Sequence, residues 1–486
     1  MLVFQFQKLW KGGVGFGLWI GQNGLVSNLS DQPLSPLDGR YRPQVRELGE
    51  HFSEAGLNRA RIQVEVEWLI WLVDHKLINP SLSLNDKERD ALRAVATNFS
   101  DESVTRLAKL EAVTRHDVKA VEYFIREELE KLGRKDLNEL VHFGCTSEDI
   151  NNLAYAIVVK AGLNKVFLPR AKDLRDKLKK IALANASVPM LSRTHGQPAT
   201  PTTLGKELAV FVARIERQLG RLESQEALGK FSGATGTFAA HVAAAPDVEW
   251  QSESKAFVEH LGFTWNPLTT QIESHDWQSE LYQAMSHLNR VLHNLATDIW
   301  TYISLNYFKQ IPVAGATGSS TMPHKVNPIR FENAEANLEL SNAILDSLAA
   351  TLVTSRLQRD LTDSSAQRNI GMGYGHALLA IDNLSRGLDE LAVNEAAMLS
   401  DLLENWEVLG EAIQTAIRAD VARGLSKIED PYALLKELTR GKRIGEDDLK
   451  AFIEGLELPQ ETKARLTELK PQSYIGLAEE LTKHLR

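Results

Sequence analysis

The sequence predicts an all-α protein built around a central bundle of unusually long helices. The clearest observation is a heptad pattern over residues 275–306, in which large apolar residues recur at alternating spacings of four and three. Comparable helical patterns cover residues 151–186, 202–228, 328–354 and 366–398. Strand signals are scarce, because no alternating apolar run is bounded by a hairpin dipeptide. The heptad consists of Leu281, Met285, Leu288, Leu292, Leu295, Ile299 and Tyr302.

The length of these helices predicts how the chain assembles. Helices of about 25–35 residues are roughly 40–50 Å long at a rise of 1.5 Å per residue. A single small domain would leave their ends and several of their faces uncovered. We therefore expect the bundle to be extended by association of subunits. The C-terminal part of the chain returns to shorter helical patterns separated by polar turns, which indicates a separate small domain.

Two proline-containing pairs predict where long helices begin. Thr200-Pro201 and Asn327-Pro328 each place a capping side chain immediately before a proline. Proline is favoured at the first helical position because its missing N–H has no partner there in any case. We expect one long helix to begin at each pair.

Composition excludes several classes of function. The chain has 486 residues, and its 43% hydrophobic and 24% charged content is that of an ordinary globular protein. A net charge of −9 gives no basic field that would attract nucleic acid or an anionic membrane. No apolar run approaches the roughly 20 residues that a membrane span needs. The single cysteine, Cys145, rules out a disulfide framework and fits a cytoplasmic protein, and the sequence contains no motif for a bound metal.

Residues 1–34 differ in composition from the rest of the chain. They are rich in glycine and aromatic residues and almost free of acidic ones. Lys8 and Lys11 precede a short apolar run, as in a signal peptide, but glycines interrupt the run and no small-residue cleavage site follows. We expect a disordered or extraneous N-terminal tail, either poorly ordered or derived from a start codon assigned too far upstream.

The segment GATGSSTMPHKVNP, residues 315–328, contains too few apolar residues for a core segment and several side chains that could take part in a reaction. Its glycines allow the backbone to move and expose Ser319 and Ser320, while Lys325 precedes a predicted helix N-terminus that favours a bound carboxylate or phosphate. A plain surface loop before a capped helix explains the composition equally well. Met322 and Pro323 favour a loop that docks as a lid and excludes water from a reactive centre.

Four further segments carry polar residues near predicted helix ends. His195 lies in SRTHGQPATP and could protonate a leaving group near neutral pH, although a lone turn histidine is more often structural. The segment TRHDVKAVEYF, residues 114–124, would ordinarily be a solvated helix terminus. The segment FGCTSEDINN, residues 143–152, is by itself an ordinary capping cluster at a helix start. The arginines of SRLQRDLTDSSAQRN, residues 355–369, could hold a phosphate in bidentate fashion, and a solvated face with ion pairs is equally expected.

Taken together and in this order, these segments resemble one superfamily. GSSTMPHKVNP is similar to the signature loop G-S-S-x-M-P-x-K-x-N-P of the fumarase, aspartase and argininosuccinate lyase superfamily. The segments SPLDGRY, TRHDVKAVEYF, TSEDINN, SRTHGQPATPTTLGKE, TTQIESHD, QRDLTDSS and ELTRGKR further resemble the adenylosuccinate lyase family of bacterial purine biosynthesis. The resemblance extends from about Ser35 to the C-terminus and leaves out only the tail.

The resemblance implies a fold, an assembly and a reaction. It implies three helical domains, placed here at residues 35–135, 136–388 and 389–486, with the central bundle forming a homotetramer whose active sites are shared between subunits. The implied reaction is β-elimination of fumarate from adenylosuccinate, giving AMP, and from succinylaminoimidazole carboxamide ribotide. The implied partners are therefore small succinylated purine nucleotides, with no metal and no organic cofactor.

The resemblance also implies roles for individual residues. Ser319 would be the general base and His195 the general acid. Because an ordinary serine is a very weak base, Lys325 and the helix N-terminus would have to stabilise its alkoxide and the aci-carboxylate intermediate. His116 would support the phosphate or His195. The implied substrate-binding residues are Arg40, Tyr41, Arg115, His116, Asp117, Thr146, Ser147, Gln271, Ser320, Lys325, Asn333, Arg359, Ser364, Ser365 and Arg368.

Two alternatives remain open on the sequence alone. Another fumarate-releasing enzyme of the superfamily, such as an aspartase or an argininosuccinate lyase, would share the signature loop. Arg40, Arg359 and Arg368 favour a phosphate-bearing substrate over a small amino acid. The second alternative is a purely structural protein on the same scaffold, which would have no reason to keep Ser319, His195 and Lys325 together.

Overall fold

The computed structural model describes residues 32–312, 322, 325–439 and 444–485. The predicted all-α class is confirmed, since helices dominate these residues and the six strands form three sheets of only two strands each. No helix within the described ranges is long and apolar enough to cross a membrane. By their contacts, the described residues up to Pro43 belong to one unit and those from Gln44 onward to another. The three-domain division stays a prediction.

The part of the chain before the long bundle is a set of helices around an aromatic core. Trp68 packs against Phe231 and Phe257, with ring centroids 4.4 and 5.0 Å apart. Apolar side chains from neighbouring helices complete this core. The helices are α1 Arg42–Phe52, α2 Glu54–Asp74, α3 Asp86–Thr97, α4 Asp101–Thr114 and α5 Asp117–Lys131, followed by a 3₁₀ turn at Lys135–Leu140.

The central part consists of long helices joined by short strands and helical turns. Helices α6 and α7 form one continuous rod, because the π-helical turn Gly162–Phe167 joins them without a break. The elements are α6 Ser147–Ala161, α7 Leu168–Ala184, β1 Pro189–Thr194, β2 Gln197–Thr203, α8 Leu204–Glu223, β3 Leu228–Gly229, α9 Ala239–Ala244, α10 Trp250–His260, β4 Thr264–Trp265, α11 Asp276–Ser304, β5 Phe308–Gln310, α12 Ile329–Leu352, α13 Thr362–Gln367 and α14 Ile370–Asp389.

The C-terminal part is built from short helices with a small core of its own. Ile413, Ile417 and Ile453 lie at its centre and are almost completely buried. The elements are β6 Leu391–Val393, α15 Glu395–Leu403, a 3₁₀ turn at Trp406–Leu409, α16 Gly410–Ala422, α17 Pro431–Thr439, α18 Glu446–Gly455, α19 Gln460–Thr467, a 3₁₀ turn at Pro471–Ser473, α20 Ala478–Leu481 and a 3₁₀ turn at Thr482–His484.

The predicted heptad forms the buried face of α11. Its residues from Leu281 to Ile299 are at most 1% exposed, and Tyr302 near the helix end is half-buried. Helix α11 runs antiparallel to α12, because the Ser279 hydroxyl donates to the Ala349 carbonyl while Trp300 donates to Glu332 at the other end. Helix α12 in turn packs on α14, and α7 packs on both α8 and α14. These five helices form the predicted long bundle.

One predicted helix start is confirmed and the other is wrong. Helix α12 begins at Ile329, one residue after Asn327-Pro328, within the usual uncertainty of a helix boundary. Thr200-Pro201 instead lies inside strand β2, which pairs antiparallel with β1, and Thr203 caps helix α8. Proline fits there because its fixed φ and missing N–H are tolerated in the edge strand of a two-stranded sheet.

Candidate active site

A network of buried charges joins several of the predicted site residues. Arg61 has a side chain only 1% exposed, and its guanidinium donates to Asp117 at 2.8 Å and to Asn151 at 2.9 Å. Arg368 donates to the same Asp117 carboxylate at 3.1 Å. Asn151 then donates to Glu148 at 2.8 Å. The first turns of α5 and α6 are thereby linked to the end of α13.

Arg359 continues this network into the loop before α11. Its guanidinium lies 2.9 Å from the Glu148 carboxylate and donates to the Gln271 side chain at 3.4 Å. Its Nε is buried and has no hydrogen-bond partner among the described residues. Burial raises the pKa of Glu148, although the charge of Arg359 opposes the shift. An unpartnered guanidinium N–H beside a paired carboxylate is suited to hold a bound anion.

Asp117 stays ionised within this cluster. Burial alone would raise its pKa, but the charge of Arg61, the Val118 backbone N–H and the charge of Arg368 together lower it. The carboxylate therefore holds both arginines in place at neutral pH. Arg61 has protein partners on all three guanidinium nitrogens, since it also donates to Asn58 at 2.8 Å, so of these two arginines only the exposed Arg368 is available to an anionic ligand.

Two helix N-termini open at this same end of the molecule. His116 caps α5, and its side chain accepts a hydrogen bond from the Lys119 backbone N–H. Arg115 precedes it in a left-handed conformation with φ of 52° and is exposed. Thr146 caps α6 and Ser147 begins it, and both side chains are half-buried. Free backbone N–H groups and the helix dipole favour an anion at such ends.

The segment after α12 completes this group. Ser364 lies in α13 and is half-buried, while Ser365 is exposed on the next position. The Arg368 guanidinium donates to the Ser364 carbonyl at 3.1 Å. The residues that share this end, here called the network end, are Arg115, His116, Asp117, Thr146, Ser147, Gln271, Arg359, Ser364, Ser365 and Arg368.

His195 lies elsewhere, at the tip of the β1–β2 hairpin. It is exposed and adopts a left-handed conformation with φ of 54°, followed by Gly196 with φ of 75°. This turn explains why a glycine follows the histidine, since a left-handed residue strains most side chains. The C-terminal part of the chain anchors the hairpin, because Arg193 donates to Asp401 at 2.6 Å and the Thr200 hydroxyl donates to Glu411.

Lys325 and Asn333 lie at the start of α12. Lys325 is exposed, and its backbone N–H donates to the Met322 carbonyl at 3.0 Å. Asn333 is half-buried and accepts a hydrogen bond from Asn383 at 2.9 Å. Ser319 and Ser320, with most of the predicted lid, lie outside the described residues.

Arg40 and Tyr41 belong to the separate unit that ends at Pro43. The Tyr41 backbone N–H donates to the Pro36 carbonyl at 2.9 Å. The Arg40 guanidinium lies 5.8 Å from the centre of the Tyr41 ring, and its side chain is exposed. The two predicted binding residues therefore form a local cation–π pair at the end of a turn.

Within one chain, His195 and the network end lie at opposite ends of the bundle. Helix α12 has 24 residues, so its ends are about 36 Å apart. Lys325 precedes it and Arg359 follows it. The Arg330–Glu390 ion pair and the Lys177–Asp389 ion pair place the start of α12 and the hairpin side of α7 at the same end, here called the hairpin end. Ser147 and His195 are likewise separated by the whole α6–α7 rod.

Sequence reasoning missed several buried charged residues, among them Arg61 of the network. Arg61 and Glu65 are charged residues inside α2, a helix whose other residues from Ala60 to Val73 are mostly apolar on every side. A charged residue in such a helix is a signal for a buried ion pair, and it could have been noticed. Lys230 and Asp149, which form a buried ion pair with an N–O distance of 3.0 Å, carried no such signal, because each lies in a segment that mixes polar and apolar residues.

Comparison with known proteins identifies the family of this chain. Residues 39–342 match a family model described as lyase, and residues 355–475 match one described as adenylosuccinate lyase C-terminal. The chain is 49% identical over 446 residues to adenylosuccinate lyase of Escherichia coli K12, covering 92% of this chain and 96% of the relative. It is 46% identical over 453 residues to adenylosuccinate lyase of Haemophilus influenzae, covering 93% and 98%.

Solved structures share the fold at low sequence identity. The 3-carboxy-cis,cis-muconate lactonizing enzyme from Pseudomonas putida is 21% identical with a TM-score of 0.69, covering 90% of this chain and 96% of that one. A fumarate lyase from Mesorhizobium is 18% identical with a TM-score of 0.70, covering 90% and 97%. The similarity over nearly the whole length, both family models and the shared helical fold show that this chain belongs to the adenylosuccinate lyase family.

Proposed function

We propose that this protein converts adenylosuccinate into AMP and fumarate, and cleaves succinylaminoimidazole carboxamide ribotide in the same way. The observation that carries the proposal is the 49% identity to an adenylosuccinate lyase over 92% of the chain. The arginines of the network end support it, because Arg359 and Arg368 suit a phosphate-bearing substrate. A free Cys145 agrees with action in the reducing cytoplasm.

In this proposal two residues move the protons. Ser319 removes a proton from the succinyl carbon that is β to the departing nitrogen. The electron pair is delocalised into the carboxylate on that carbon as an aci-carboxylate. The pair then returns to form the carbon–carbon double bond of fumarate while the carbon–nitrogen bond breaks. His195 donates a proton to the departing nitrogen. Lys325 and the N-terminus of α12 stabilise the negative charge on the carboxylate.

The separation of the two ends supports a site shared between chains. A single chain keeps His195 and Arg359 at opposite ends of a bundle whose helix α12 alone is about 36 Å long, whereas one nucleotide must touch both. Exposed apolar side chains on the long helices, among them Val210, Trp300 and Leu340, favour association of the bundles. We therefore propose a homotetramer in which the hairpin end of one chain meets the network end of another.

Turnover with competing substrates tests the proposal. Purified protein should release fumarate from adenylosuccinate with a fall in ultraviolet absorbance, and the His195→Ala variant prepared in parallel serves as the control for contaminating activity. Aspartate and argininosuccinate should not be cleaved, because neither has a phosphate for Arg359 and Arg368. Robust cleavage of either of these two, with none of adenylosuccinate, would contradict the proposal.

A further inference from the structure

A completely buried ion pair lies behind the network end. Lys230 and Asp149 are both 0% exposed, and the ammonium lies 3.0 Å from the carboxylate. A charge in such a position needs a partner and further hydrogen bonds to be tolerated. Neither residue belongs to the proton-transfer groups or to the substrate ligands described above.

The ammonium of Lys230 has all of its donors in use. Besides the Asp149 carboxylate, it donates to the Gly233 carbonyl and to the Gln271 carbonyl, both at 2.8 Å. An ammonium has three N–H donors, so none is left for a ligand. Lys230 therefore acts through other groups, and one of them is the backbone of the predicted substrate ligand Gln271.

The Asp149 carboxylate accepts hydrogen bonds from backbone N–H groups of two further segments. One oxygen accepts from the Ser232 N–H at 2.8 Å and the Gly233 N–H at 3.2 Å, and the other accepts from the Thr146 N–H at 2.8 Å. Thr146 is the cap of α6 and a predicted substrate ligand. The pair thus connects three segments that are far apart in the sequence, residues 143–148, 229–236 and 266–275.

Close backbone contact reinforces this connection. Gly236 has φ of 76°, and a methyl group on it would overlap the Thr269 carbonyl. The Asn152 side chain accepts from the Lys230 N–H at 2.9 Å and donates to the Lys230 carbonyl at 3.0 Å. Small displacements of the Lys230 segment would therefore be transmitted to both ligand-bearing segments.

We propose that Lys230 and Asp149 are positioning residues that set the distance between Thr146 and Gln271 and thereby determine nucleotide affinity. The inference rests on the proposed function. Because the pair holds substrate ligands and contacts none of the described proton-transfer groups, its loss should raise KM more than it lowers kcat. A merely structural pair would change stability and leave the ratio of the two constants unchanged.

The test uses variants of the full-length enzyme. Lys230→Met alone leaves the Asp149 charge buried without its partner and can fail to fold. The double variant Lys230→Met with Asp149→Asn removes both charges together, so it should keep the fold while losing the hydrogen bond to the Gln271 carbonyl. Gly236→Ala is the second variant, since it keeps the ion pair and displaces the segment of Thr269.

Both variants should raise KM for adenylosuccinate about ten- to a hundredfold and keep kcat within about threefold of wild type. Calorimetric titration should show that the affinity of both variants for AMP falls by the same factor. The matched control is Asp420→Asn, which replaces the charged acceptor of the buried Thr462 hydroxyl in the C-terminal core with a neutral, weaker one. It should lower the melting temperature and leave KM unchanged.

Two results would count against different parts of the argument. Wild-type protein that neither cleaves adenylosuccinate nor binds AMP would refute the proposed function and this inference with it. Active wild-type protein, together with folded variants whose KM and AMP affinity match those of Asp420→Asn, would refute the positioning role alone.

Discussion

Mixing two inactive variants tests whether the site is shared between chains. His195→Ala removes the proposed acid at the hairpin end, and Arg359→Gln removes a proposed phosphate ligand at the network end. Each variant alone should be nearly inactive, because the acid contributes about 10²–10⁴ in rate and truncating a buried charged contact costs about 2–5 kcal/mol. Mixed subunits should recover activity if each site takes these two residues from different chains.

The size of the recovery follows from the geometry. The two residues flank a bundle whose helix α12 has 24 residues and spans about 36 Å, so one chain cannot supply both to one nucleotide. In a random equal mixture, a given site receives an intact hairpin with a probability of about one half and, independently, an intact network end with the same probability. About one quarter of the sites should therefore be intact.

The assay measures fumarate release after the two variants are dissociated together in mild denaturant and reassembled. Each variant treated alone provides the background, and wild-type protein treated in the same way provides the reference. Recovery close to one quarter of the reference would support the shared site. Activity that stays at background, although size measurements show that mixed oligomers have formed, would refute the reasoning from helix length.

Single substitutions test three further parts of the proposed chemistry and of the fold. Ser319→Ala and His195→Ala should each lower kcat by about 10²–10⁴, and near-normal turnover of either would show that its role is misassigned. Asp401→Asn loosens the arginine that anchors the hairpin and should lower kcat about tenfold, with AMP affinity unchanged in calorimetry. Burial opposes protonation of His142, but the charge and hydrogen bond of Glu65 outweigh it and raise the histidine's pKa. A raised pKa stabilises the fold at pH values below the histidine's pKa in the unfolded chain, about 6.5. This stabilisation disappears as the pH rises through the histidine's pKa in the folded chain. His142→Asn should therefore lower the melting temperature more at pH 6 than at pH 9, whereas equal losses would contradict the pair's contribution.

The long bundle could be predicted because its signals are local. Residues at spacings of four and three lie on one face of a helix whatever the rest of the chain does, so the heptad from Leu281 to Ile299 identified the buried face of α11. The start of α12 could be predicted from Asn327-Pro328 for the same reason, since a cap and a following proline act within one turn.

Local patterns could not show how the hairpin pairs or which charges of the network meet. Pairing of β1 with β2 overrides the helix-start signal of Thr200-Pro201, and the C-terminal contacts of Asp401 and Glu411 that support it come from residues about 200 positions away. The Lys230–Asp149 pair likewise joins segments separated by about 80 residues. Tertiary contacts of this kind leave no periodic trace in the sequence.

A structure of the His195→Ala variant bound to adenylosuccinate would show whether two chains share each site. The phosphate should contact Arg359 of one chain, while the carbon–nitrogen bond should lie beside residue 195 of another chain. The Thr146 and Gln271 segments of the phosphate-binding chain should also contact the nucleotide. A nucleotide held entirely by one chain, or bound away from both ends of the bundle, would rule out the shared site.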